Sequence, residues 1–276
     1  MDESGCVTER SSKAIWIRDF FCGQVKRSVL AFCLIPLIFL SFFGTLGATA
    51  RFYPGNYDWR AKVISDLLSP RHNPGFHFLA SLGLAVSALL TMPFAGYLHA
   101  RLRPASRLGA SIGAGAFGVG LVALILAGLI VSPHSAPLGA IPRLHEMLGR
   151  TSAAGLGTGM LLFCWCALKG QRAAPDGRRL YQRRLLLCWV FLTLPPLFGA
   201  VASESLWLIS QAHYAWSYPI SQALKTTLLW HLAFWEWIGA AAVFLFLLSS
   251  ALLLPEAAES GVASEEICHR RIDERH

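Results

Sequence analysis

Six stretches of this chain are apolar for long enough to cross a bilayer, which makes lipid the solvent for most of it. A helical span needs about 20 mostly apolar residues. Such runs fall at Ser28–Ala50, Phe76–His99, Ala110–Val131, Glu146–Leu168, Leu185–Ile209 and Thr227–Leu254. Open sheets and loops cannot face lipid, because their backbone groups would have no partner there. The expected fold is therefore all-α, a polytopic membrane bundle of six transmembrane helices over residues 28–254. A cytosolic amino-terminal segment, 1–27, precedes it and a flexible cytosolic tail, 255–276, follows.

Lysine and arginine orient the bundle. With the amino terminus in the cytosol, 17 of the 24 fall in cytosolic segments, notably Lys26-Arg27, Arg101–Arg107, Lys169–Arg184 and Arg270-Arg271. The three outer connections hold the remainder, so positive-inside sorting puts both termini in the cytosol. All seven cysteines lie on that same side or in the inner halves of spans, where no oxidising compartment would pair them. Cys164 and Cys166 lack the spacing of a zinc knuckle. They read as free thiols or small hydrophobes. The net charge of +8 comes from these inner clusters facing anionic headgroups rather than from a nucleic-acid site. Ala48-Thr49-Ala50 looks like a signal cleavage site, but the run before it is too long, and an uncleaved signal anchor is expected.

Glycines crowd the third span at positions 109, 113, 115, 118, 120 and 128, and the fourth at 155, 157 and 159. In lipid, small residues let helix backbones approach closely, so these are packing positions. Gly155-Leu-Gly-Thr-Gly has no preceding strand and no following lysine, which excludes a phosphate loop. Pro36, Pro93 and Pro195-Pro196 should bend their spans; the pair is expected to make the largest kink and to widen a cavity towards the outer leaflet. Trp230, Trp235 and Trp237 with Tyr53, Tyr57 and Trp59 form an outer aromatic belt, and Trp165 and Trp189 an inner one.

Ionisable residues suited to chemistry collect on the outer side: His72, His77, His134, His145, His213 and His231, with Asp58, Asp66, Glu146, Glu204 and Glu236. Glu236, expected two turns into the last span, is a functional candidate because a charge at membrane depth is costly. The first outer connection is the densest segment. Its Pro-Gly and Asn-Pro steps mark turns, and between them Tyr57–Leu68 reads as a short amphipathic helix lying at the interface. Asp66 there would cap backbone amides or point into the mouth of the bundle. Ser65, Asp66, His145 and Glu236 are the candidate catalytic residues, and Tyr57, Asp58, Asn73 and His231 the candidate binding residues.

Ile64-Ser65-Asp66-Leu67, then Asn73-Pro74-Gly75 before the second span, resembles the opening of the domain-of-unknown-function 998 family. His145 after the Pro137–Pro142 loop and Trp235-Glu236-Trp237-Ile238-Gly239 continue the likeness. That family consists of six-span, mostly prokaryotic membrane proteins, so the resemblance implies a bacterial cytoplasmic membrane. A weaker likeness to the FRAG/DRAM group lies in its similar Ile-Ser-Asp step; some of its relatives act in lipid-anchor remodelling. Neither resemblance implies a reaction.

Two functions follow. One is a protein that binds or senses a membrane lipid or other amphiphile in an outward-facing polar pocket. The alternative is a metal-dependent hydrolase acting on lipid at the outer leaflet, with zinc held by His145 and His231 alongside Asp66 and Glu236. Hydrolytic zinc needs about three converging protein ligands and an open position for water. The alkaline-ceramidase and adiponectin-receptor superfamily does such chemistry within a membrane bundle, but this chain lacks its seventh span and any His-x-x-x-His pair. His72–His77 and His231–Glu236 are each spaced five apart, which swings ligands about 140° from one another on a helix, so any metal site must form between helices.

Overall fold

The structure is a computed structural model and describes residues 20–21, 23–130, 144–172, 180–211, 227 and 230–255. The tails, the Pro137–Pro142 loop, His134, His213, Cys6, Cys22 and Cys268 lie outside the described residues. Six helices are long and apolar enough to span a membrane, and no strand occurs among the described residues. They are α1 (Arg27–Arg51), α3 (His77–Leu102), α4 (Arg107–Leu129), α5 (Leu144–Arg172), α6 (Arg183–Gln211) and α7 (Leu232–Leu253), with a short α2 (Ile64–Leu68) after α1. Their outward faces stay apolar: Leu108, Ile112, Val119 and Val122 of α4, and Leu187, Phe191, Phe198 and Val201 of α6, are exposed. Helices apolar on every side belong in lipid, which makes this architecture that of a multi-pass membrane protein.

Each long helix packs on the next, and α7 returns to α1, so the six close into a ring. The closest seam joins α4 to α5. A Cβ on Gly120 would strike the carbonyl of Ser152, and one on Gly155 would strike the backbone of Gly120 itself. Gly113 sits over Phe163 and Gly109 over Trp165, so position numbers rise along one helix as they fall along the other. The pair is therefore antiparallel, at a separation only glycine permits. Gly115 and Gly118, expected to pack as well, meet nothing; their helical phase turns them away from α5.

In α1, two wider turns of i→i+5 type, Leu30–Leu34 and Leu40–Gly44, flank Pro36. Proline has no amide hydrogen, and a local π-turn is one way a helix absorbs that loss. Near the second turn, Thr45 donates to the carbonyl of Ser41 at 2.6 Å and Thr49 to that of Thr45 at 2.6 Å, bonding that also bends helices. Pro93 and Pro195-Pro196 lie within α3 and α6.

The end expected to face the cytosol is well tied. The Arg101 guanidinium lies 3.7 Å from the Tyr97 ring centroid and donates to Gly23, whose φ of 82° suits glycine. Tyr181 donates to the Arg101 carbonyl at 2.5 Å, and burial pushes its phenol up to about 12. Trp189, expected in the inner belt, is instead fully buried: it stacks on Phe246 and donates to Ser249 at 3.2 Å. An indole with a hydrogen-bond partner and a ring to stack on gains more from the core than from the interface.

Candidate functional site

At the opposite end the connection between α1 and α3 folds inward. The amphipathic helix expected over Tyr57–Leu68 forms only at Ile64–Leu68, because Val63 is extended (ψ 156°) and breaks it. The preceding residues are turns, pinned from Asp58, whose carbonyl and Oδ1 accept the amides of Lys62 and Arg60. Nor does the helix lie flat at the interface. Leu67 and Leu68 are fully buried against Leu46, Ala80 and Leu84, so α2 plugs the end of the ring.

Two side chains hold that plug. Tyr57 directs its hydroxyl at the carbonyls of Lys62 (2.8 Å) and Val63 (3.1 Å) and accepts the Trp237 indole N–H at 3.2 Å. Burial raises its pKa, against the Trp237 hydrogen bond, and the nearby carboxylates of Glu236 and Asp66 raise it further. The second is Glu236, whose Oε2 accepts the amide of Ile64 at 2.8 Å. Val63 supplies no side-chain cap, so a carboxylate from α7 serves the first amide of α2 in its place. Helix α7 begins at Leu232, after an extended His231, so Glu236 lies little more than one turn inside rather than two.

Behind the plug lies a cavity of about 1240 Å³ that opens to the outside along α5 and α6, where lining residues such as Ala153, Ala154, Val201 and Leu208 are exposed. Its depth is apolar, with Ile38, Leu121, Leu192 and Leu247, while its α2 end carries Ser65, His145, Glu146, Arg150, Glu204, His231 and Glu236. Pro196 of the double proline is among its lining residues. Pockets for drug-sized ligands run from about 300 to 1,000 Å³, so this one admits something larger.

The cavity thus gathers Ser65, His145, His231 and Glu236. Asp66 points elsewhere, to His72 Nδ1 at 2.9 Å, and among the described residues its side chain caps no backbone amide. Asp58 is exposed in its turn, Tyr57 braces the plug, and buried Asn73 ties the end of α2 by donating to the Leu67 carbonyl at 3.2 Å. Sequence reasoning passed over Arg150, which joins Glu146 (2.7 Å) to Glu204 (2.5 Å) across α5 and α6. The signal for it was the i,i+4 spacing of Glu146 and Arg150.

No family model matches this chain, and neither does any curated protein or solved structure. Among the described residues, no three His, Cys, Asp or Glu side chains group as metal ligands. The convergence of His145, His231, Asp66 and Glu236 that a zinc site requires is not formed: Asp66 is turned to His72 and Glu236 to Ile64. What the arrangement offers is a large, mostly apolar chamber whose ionisable groups are confined to one end.

Proposed function

We propose that this membrane protein binds or senses an amphiphile, with the apolar chain in the chamber and the polar head at the α2 end. The observation carrying this reading is the cavity itself, mostly apolar in its depth apart from hydroxyls such as Ser87, Thr91 and Thr193, and charged only beside α2. An apolar chain passes from bilayer to that depth with its surroundings little changed, whereas a small polar solute would be desolvated there with few partners. Residues 64–67, 73–75, 145 and 235–239, which carry the sequence resemblance noted above, all fall at this end. We also propose, on the strength of the lysine and arginine distribution, that the α2 end faces outward and both termini are cytosolic; the family resemblance implies that the membrane is a bacterial cytoplasmic one.

Trp230 and Trp235 line the cavity and report on its occupant. A brominated long-chain detergent added to the purified protein should quench their fluorescence. Gly239 also lines the cavity, and a Cβ there would meet nothing. Gly239→Phe should therefore fill space, remove the saturable part of the quenching and leave the fold intact. Quenching that is identical in wild type and Gly239→Phe would mean lipid at the protein's outer surface, and the chamber would not be a binding site.

A further inference from the structure

The charges around the cavity do not balance. Among the described residues lining it, Arg150 is the one Lys or Arg, and two glutamates, Glu146 and Glu204, already claim its guanidinium. Glu236 is left over. Its Oε2 takes one neutral backbone N–H, and among the described residues no Lys, Arg or His forms an ion pair with it. Asp66 adds negative potential at the same carboxylate, while its own partner His72 is half-exposed. A carboxylate drawn away from water costs several kcal/mol unless a counter-charge accompanies it, and one amide is a small return. Two tryptophans line the same cavity: Trp230 just before α7 and Trp235 in its first turn, its ring against Gly199 of α6. Indole faces attract cations, and quaternary ammonium groups above all. An anionic head would meet Glu236 and Glu204 together, and a neutral one would leave Glu236 without its counter-charge.

We propose that the amphiphile carries a positively charged head, a primary amine or quaternary ammonium, and that the Glu236 carboxylate beside Trp230 and Trp235 is its binding site. This rests on the amphiphile reading above and narrows it to one charge class.

Three chains of equal length separate the possibilities: hexadecylamine, hexadecanol and hexadecanoate, each competing with the brominated probe at neutral pH. A charge-assisted hydrogen bond in a desolvated site favours the amine over the alcohol by about tenfold or more, with the carboxylate weakest. Glu236→Gln should bring the amine and the alcohol together, whereas Glu236→Asp, which keeps the charge, retains part of the preference. The ranking in the wild-type protein stands even where a variant fails to accumulate. Equal binding of all three chains overturns the charge assignment alone, as does an amine preference that survives Glu236→Gln. If none of the three displaces the probe, the amphiphile reading falls and this inference goes with it.

Discussion

Glu236 does two jobs that pull in different directions. Its acceptor oxygen caps the first amide of α2, a task any side-chain carbonyl can perform, while its charge lies at the edge of an apolar chamber, where a cation would compensate it. The two separate under substitution. Glu236→Gln keeps an oxygen for the Ile64 amide and removes the charge, so its thermal unfolding in detergent should match wild type within about 1 kcal/mol. Glu236→Leu leaves that amide without its partner, and should lose about 1–3 kcal/mol, the cost of an unsatisfied buried donor. A Gln variant as unstable as the Leu variant would mean that the charge itself holds the plug. The sequence marked Glu236 for its depth in an apolar run. Its partner stayed hidden because Ile64 lies 172 residues away, and nothing in either local pattern announces a backbone amide left uncapped by Val63.

Among the elements, α4 and α5 show how much a glycine-rich span discloses and where it stops. Clusters at 109–128 and 155–159 mark helices that must approach closely, and they do. Which glycines face the seam depends on helical phase, and phase is set by the partner. Gly120 and Gly155 touch backbone, while Gly115 meets nothing. Gly120→Leu should consequently force the seam apart and lower the melting temperature sharply, as overpacking costs about 1–3 kcal/mol or more when the obstacle is main chain. Gly115→Leu should be neutral or slightly stabilising, since leucine is the better helix former. Comparable melting temperatures for the two variants would place the seam elsewhere. Helix α2 is the complementary lesson. Its apolar spacing suited a longer interfacial helix, but extended Val63 and the grip of Tyr57 on two carbonyls confine it to five residues. Tertiary contacts decided its length, and those are beyond the reach of periodicity.

At the scale of the molecule, spans and their number could be read directly, because twenty apolar residues have one stable answer in lipid. The closing of the ring could not, since α7 meets α1 across the whole length of the chain. The chamber exists because of that closure. Orientation is the remaining property with consequences for it. The end bearing α2 mixes Glu146, Glu204, Glu236, Asp58 and Asp66 with Arg51, Arg60, Lys62, Arg71 and Arg150, whereas the other end gathers Arg101, Arg103, Arg107, Arg172, Arg183 and Arg184 with no Asp or Glu among the described residues. Anionic lipid attracts each basic residue near the cytosolic surface by about 1 kcal/mol, so the basic end should stay in. Pro54 and Arg103 are exposed at the two opposite ends and serve as reporters. In a background free of native cysteine, a membrane-impermeant maleimide applied to intact cells should label Pro54→Cys and spare Arg103→Cys until the membrane is opened. The reverse pattern would turn the acidic mouth towards the cytosol, and a cationic amphiphile would then have to reach Glu236 from the inner leaflet. Labelling thus fixes the side from which the chamber fills, independently of what fills it.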